Sequence, residues 1–406
     1  MDIISLDNNK ITIFAGRVLA GNDFTPLNNR VITIEKGRIT SIKKQEANSF
    51  EKGGDFYSFP PDYTLLPALI DAHIHIGLGQ KPSGGDSFAR GRVETDCPQC
   101  LSDQKLKDEL YSFLENGIYA VRDGGDAASF NLAVSNALKS GVLCGPLMVP
   151  TGEALRKVKG YGSFLGRGFG GIRDIPHITD CFADAGIGQL KVIVSGIVSF
   201  REYGKVGRAP ITDEELSFIV NCAHKKNLKV MAHASSAEAV KKAIAAGVDS
   251  VEHGYFIEDD SLKQMAERQI FWIPTIIPVA TQATRPFDFD KTPQQLDVIK
   301  RTYERQMDKL CLAVSEGVPV GVGSDSGASG VRHGHDYHRE LLLYQEAGLP
   351  AKSILKAAIT ENASLLSLGG ATIKKGSCTA LIVVKGNPLS DIRALKAPVA
   401  FFRKSQ

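Results

Sequence analysis

The chain is 406 residues long, 43% hydrophobic and 23% charged, a composition that excludes a disordered or collagen-like polypeptide. A formal charge of +3 is too small to argue for nucleic acid or an anionic membrane as partner, and the short basic cluster Arg156, Lys157, Lys159 lacks interleaved aromatics. At about 150 residues per domain, one large domain plus a smaller one fits the length as well as two equal ones.

Seven scattered cysteines fit reduced thiols in the cytoplasm better than a disulfide framework. The N-terminus carries Asp2 and Asp7 where a signal peptide would be basic and then apolar. The longest apolar candidate, 65–77, is interrupted by Asp71, His73 and His75, well short of the ~18 residues a membrane span needs. The expectation is a cytoplasmic, non-membrane protein.

In chain order, 11–20 and 30–44 alternate apolar with polar residues, the period of half-buried strands, and Gly37 between two runs predicts a hairpin. TALIVVKGNP (379–388) is a similar strand stopped by Gly386 and Pro388. Residues 1–61 and 366–406 are therefore read as one small β-sandwich domain built from two separated pieces of chain. Between them, across 62–365, short apolar runs recur: LLPALIDAHIHIG (65–77), YAVRD (119–123), PLMVPT (146–151), LKVIVSG (190–196), LKVMAH (228–233), DSVEH (249–253), FWIPT (271–275) and PVGVGSD (319–325). Helical segments separate them. Thr212, with Glu215 three residues on, opens one helix that runs to about Lys226, and another ends at Gly247. Eight strands alternating with helices predict an α/β fold, a (β/α)₈ TIM barrel, with an open doubly wound sheet as the alternative.

The stretch 160–171 contains a formal G-x-G-x-x-G at Gly166, Gly168 and Gly171, but no strand leads into it, so a loop over a site is expected rather than a dinucleotide fingerprint. The signatures of P-loop NTPases, of His-Glu-x-x-His proteases and of Ser-nucleophile α/β-hydrolases do not occur in the chain.

His73 and His75 lie two apart in an extended run, so both rings face the same side. His233, His253 and Asp325 each end an apolar run. Barrel active sites sit at the C-terminal ends of strands, where these groups would converge as metal ligands. Lys191 shares a strand face with Ile193 and Ser195. A lysine facing a barrel core is costly unless paired or neutralised, although one at the strand mouth or facing the helices would be ordinary.

His73-x-His75 after LLPALIDA, Lys191 in LKVIVSG, His233 in MAHASS, His253 in EHG and Asp325 in GSDSG together resemble the metal signature of the amidohydrolase superfamily. Across nearly the whole chain the pattern looks most like the branch containing Xaa-Pro dipeptidases, arginine and lysine carboxypeptidases and imidazolonepropionases. TDEEL (212–216) and GSDSGASGVRHG are shared features. The resemblance implies two divalent metal ions, most commonly zinc. It places His73, His75 and Asp325 on one ion, His233 and His253 on the other, and Lys191 on both as N6-carboxylysine. It also implies that a metal-bridging hydroxide attacks the carbonyl of a small amide, N-acyl amino acid, dipeptide-like compound or ring amide, with Asp325 as general base and acid. An esterase, lactonase or phosphotriesterase using the same centre is the alternative, and a non-catalytic barrel scaffold a more remote one.

Departures bear on the substrate. Prolidase-like members usually have a Tyr after the Ala-His-Ala run, where Ser235 and Ser236 stand here, and Gly152, Glu153, Ala154 replace a Gly-Gly-His. Arg122 at a strand end, Tyr161 in the glycine loop and Arg332 are candidates for a substrate carboxylate. Ser235 and His335 are further candidate substrate contacts, and Tyr161 or Arg167 is expected to reach the substrate from the loop 152–176. Cys97 and Cys100 form a lone C-x-x-C, too few ligands to close a zinc site. The expected partner is a small molecule, and a homo-oligomer is left open.

Overall fold

The computed structural model describes the chain except residues 8–9, 46–53, 79–100, 127, 285, 288–289, 370, 379 and 405–406. Cys97 and Cys100 lie outside the described residues, as does Thr379. The strands in chain order are β1 (Asp2–Ser5), β2 (Ile11–Ala20), β3 (Thr25–Glu35), β4 (Arg38–Lys44), β5 (Asp55–Ser58), β6 (Tyr63–Pro67), β7 (Leu69–Ile74), β8 (Ile118–Asp123), β9 (Leu147–Val149), β10 (Gln189–Ile193), β11 (Lys229–Ala234), β12 (Ser250–His253), β13 (Phe271–Ile273), β14 (Leu381–Lys385) and β15 (Pro398–Arg403).

Both ends of the chain build one sheet, in the order β1-β15-β14-β6-β2-β3-β4, with β5 paired to β2. The hairpin at Gly37 is present. Glu35 pairs with Arg38 across a two-residue turn, and Lys36 and Gly37 both have positive φ (50° and 67°), the turn whose twist suits antiparallel strands. The inner face packs Ile11, Ile13, Ile32, Val383 and Phe402 into a core of its own.

The apolar run 65–77, expected as one strand, is two. β6 pairs antiparallel with β14, whereas β7 pairs parallel with β8. The switch falls between adjacent amides: Ala68 N–H donates to Ala380 O, and Leu69 N–H donates to Gly117 O. Because both halves are buried, hydrophobicity carries no mark of the change of sheet.

The remaining strands form two parallel ladders, β7-β8-β9 and β10-β11-β12-β13, with helices between successive strands. The helix Asp213–Lys225 starts with the expected capping box, Thr212 accepting from Glu215 N and Glu215 accepting from Thr212 N. The helix Ala237–Ala246 ends at Gly247 with φ 81°, the left-handed cap glycine supplies without a Cβ clash.

The stretch 319–325, expected as an eighth strand, instead makes isolated bonds between the two ladders. Trp272 pairs with Val320 on one side. On the other, Ala72 N–H donates to Val322 O, Asp325 N–H to His73 O and His75 N–H to Ser326 O. Asn362 substitutes for part of the ladder: its carbonyl accepts from Val322 N and its amide donates to Ile70 O and Val322 O. A Cβ at Gly323 would lie 2.6 Å from His73 Cβ, so this close approach requires glycine. At the other junction Leu155 bridges to Val192.

Candidate active site

The C-terminal ends of these strands bring together all six residues singled out by the sequence. His73 and His75 come from β7 and its end, Lys191 from β10, His233 from β11, His253 from the last position of β12 and Asp325 from the stretch beside β7. Asp325 Oδ1 lies 3.6 Å from His73 Nε2 and 3.4 Å from His75 Nε2. Lys191 Nζ is 3.4 Å from His73 Nε2. The His233 and His253 rings are 4.5 Å apart, and His253 is 5.1 Å from His73. The donor atoms of His73, His75 and Asp325 fall within 4.8 Å of one another.

Two of these side chains reach the centre through unusual backbone. Period-2 alternation would put Glu252 and His253 on opposite faces. His253, however, has φ 66°, and Asp325 has φ 52°, a conformation uncommon for non-glycine residues and concentrated at functional sites.

The hydrogen bonds around the imidazoles assign their protons. His75 Nδ1 lies 2.9 Å from Gly125 O, which can only accept, so Nδ1 carries the proton and Nε2 the lone pair. His253 Nδ1 meets Thr275 Oγ1 at 2.6 Å while that hydroxyl donates to Pro274 O, again leaving Nε2 as the free donor atom. His73 Nδ1 is 2.7 Å from Glu252 Oε2, with the same result. His233 is reversed, since its Nε2 faces Gly196 O at 3.2 Å and leaves Nδ1. Burial pushes all four imidazoles down, His75 and His233 to about 3. Four neutral rings with fixed tautomers are what a transition-metal site requires of histidine.

Burial also pushes Lys191 down to about 8 and Asp325 up to about 7. Beneath the centre, Glu252 is held by both Nη2 bonds of Arg122 at 2.9 Å. Arg122 also donates to Ala72 O, Gln189 Oε1 and Ser250 Oγ. Asp71 accepts from Ser324 and from His73 N, tying the ends of two neighbouring segments together.

A cavity of about 180 Å³ opens above the centre. Tyr161 lines it, its ring 5.6 Å from that of His233. Ser235 lines it too, with a buried hydroxyl that has no hydrogen-bond partner among the described residues.

Four other residues singled out by the sequence lie elsewhere. Arg122 is wholly buried, and its donors are used by Glu252 and its neighbours, so it cannot meet a substrate carboxylate. Arg332 pairs with Asp336 at 2.9 Å on a separate surface groove. His335 is exposed and contacts Asn116. Arg167 points into solvent, 87% exposed, and pairs with Glu153. Conversely, the sequence does not point to Glu252 and Thr275, which fix the tautomers of His73 and His253. Glu252 is signalled only by sharing a strand face with Ser250, and Thr275 only by ending the FWIPT run.

The chain is similar to ochratoxinase of Aspergillus niger, 24% identical over 437 aligned residues that cover 98% of this chain and 86% of that protein. It is 26% identical over 327 residues to an uncharacterised protein of Mycobacterium tuberculosis, covering 80% of this chain and 78% of the other. Among solved structures it resembles a Xaa-Pro dipeptidase with methionine bound in the active site, at 26% identity and a TM-score of 0.77 over 96% of this chain and 97% of that one. The structure of A. niger ochratoxinase aligns with a TM-score of 0.82 at 20% identity, over 98% and 95% of the two chains. The model of the amidohydrolase family matches residues 64–403; the chain belongs to that family.

Proposed function

We propose that this amidohydrolase cleaves the C–N bond of a small amide or ring amide at a centre for two divalent metal ions, zinc being the best match to the donors. The observation that carries the reading is the convergence of four neutral imidazoles with Asp325 and Lys191 on one cavity floor. His73, His75 and Asp325 would hold one ion, His233 and His253 the other, and Lys191, as a carbamate, both. When bound, the ions would polarise the scissile carbonyl and lower the pKa of water.

The chain's own residues supply the proton chemistry. Asp325, raised to about 7 by burial, can take a proton from the attacking water and pass it to the departing nitrogen near neutral pH. Tyr161 and Ser235 face the bound molecule. The two parallel ladders joined through 319–326 and Leu155 support a closed (β/α)₈ barrel over 62–365, save that β6 pairs in the sheet of the β domain formed by 1–61 and 366–406. The described cysteines are free, in keeping with a reducing compartment.

Purified protein should carry close to two divalent ions per chain, hydrolyse amides in preference to esters, lactones and phosphotriesters, and lose activity on chelation. Full activity in metal-free protein would refute the proposal.

A further inference from the structure

We infer that the substrate is a neutral amide bearing an aromatic or branched apolar group, and that a carboxylate beside the scissile bond is selected against. The inference rests on the amide reading above and adds the chemistry of the cavity wall to it. Leu78, Phe164, Val198, Phe200, Tyr255 and Val279 form that wall. An apolar cavity of about 150 Å³ is large enough to hold a benzene ring, and this one is about 180 Å³.

Charge is the discriminating feature. Among the described residues lining the cavity, Lys191 is the one lysine or arginine; it is fully buried at the floor against His73, and as a carbamate it offers no positive charge. Neither Arg122 nor Arg332 reaches the cavity. A carboxylate beside the scissile bond would exchange water for apolar surface with no counter-ion from the described residues of the wall, a costly transfer. The polar atoms on offer are neutral. Ser235 has a buried hydroxyl with no partner among the described residues, and Gln282 donates its amide to Ser329 O.

Three acetamides isolate the two features. N-(2-phenylethyl)acetamide and N-acetylphenylalanine differ by the carboxylate alone, and N-ethylacetamide lacks the ring. Hydrolysis adds water across the amide in each case, giving acetate and the free amine. The kcat/KM of the metal-loaded enzyme should be about tenfold or more higher for N-(2-phenylethyl)acetamide than for N-ethylacetamide, and higher by a similar factor, about tenfold, than for N-acetylphenylalanine. Binding supplies a readout independent of turnover. By calorimetry, the unreactive ketone 5-phenylpentan-2-one should bind more tightly than its carboxylate counterpart 2-benzyl-4-oxopentanoate. Ile197, 49% exposed and lining the cavity, provides a gain-of-function arm. Ile197→Arg should shift the preference towards N-acetylphenylalanine by about fivefold.

Equal or faster turnover of N-acetylphenylalanine, or equal binding of the two ketones, overturns the inference. If the neutral ketone binds selectively but no acetamide is cleaved, the preference of the wall stands and the amide reading falls.

Discussion

His73 Nδ1 and Glu252 Oε2 are 2.7 Å apart, and neither side chain is exposed. That contact fixes the ring so that Nε2 faces Asp325 and Lys191, and Arg122 clamps the carboxylate from below. The strand-end imidazole is thus oriented by a buried ion pair from the two strands β8 and β12.

Glu252→Gln keeps the shape of this arrangement and removes its charge. His73 loses the partner that holds its proton on Nδ1, and Arg122 loses its counter-ion. Outer-sphere partners of this kind are typically worth about 10–100-fold in metal affinity, and breaking one side of a buried pair costs about 3–5 kcal/mol. The variant should therefore bind zinc about 10–100-fold more weakly in a competition titration and unfold at lower denaturant. Wild-type metal affinity would show that Glu252 serves stability alone.

Lys191 makes a second prediction. A lysine carbamate forms from the neutral amine and CO₂, and burial brings Lys191 down to about 8, where an appreciable fraction is neutral at working pH. A charged ammonium at 3.4 Å from His73 Nε2 would oppose a cation there, so metal binding and the carbamate should go together. Lys191→Ala should lose most bound metal and activity, and propionate at millimolar concentration should restore part of both. Bicarbonate should speed reconstitution of metal-free wild type. A bare amine beside two occupied metals in a high-resolution map would refute the modification.

His233, His253 and Asp325 are legible because each combines a ligand-type side chain with the end of an apolar run, His73 and His75 because their spacing puts both rings on one face, and Lys191 because a lysine facing a core is costly; the structure brings all six to one floor. The same signal misleads for Arg122. It also ends an apolar run, but the side chain turns down beneath the centre, where Glu252 and Ser250 take its donors. Nothing in a one-dimensional pattern separates a polar residue facing up from one facing down. Residues 319–325 resemble a regular strand in their alternation with glycine. Those glycines admit His73, Ile273 and Asn362 at contact distance, and side-chain bonds from Asn362 replace ladder bonds. The left-handed backbone of His253 and Asp325 is only weakly marked in the sequence: histidine and aspartate adopt it more often than most non-glycine residues, but far less readily than glycine.

Arg156 leads to a third prediction. Its guanidinium sits inside the glycine loop and donates to Gly166 O at 2.6 Å, Gly160 O at 3.1 Å and Arg167 O at 3.2 Å. These bonds hold a loop that presents Tyr161 to His233 and Phe164 to the cavity. Arg156→Ala should leave metal content unchanged but raise KM about tenfold or more, as three loop carbonyls lose their donor and the cavity wall loosens. Guanidinium at low, non-denaturing concentration should recover part of the loss, which general destabilisation would not allow. Tyr161→Phe keeps the ring on His233 and should raise KM less than Tyr161→Ala.

The last prediction separates the chemistry of Asp325 from its backbone. Asp325 has φ 52°, a conformation that asparagine tolerates and alanine does not; the left-handed region costs a Cβ-bearing residue roughly 1–2 kcal/mol. Asp325→Asn should therefore fold with nearly wild-type stability, whereas Asp325→Ala should be less stable by about that amount. In the asparagine variant the oxygen that faces His73 and His75 can no longer accept and return a proton, and in the alanine variant it is gone. General acid–base catalysis is worth about 10²–10⁴-fold, so kcat should fall by at least that factor in each variant. Measuring zinc content in parallel assigns any further loss to the missing ligand. If Asp325→Asn retains a near-wild-type kcat with its metal in place, the proton passes through another group and Asp325 is a ligand only.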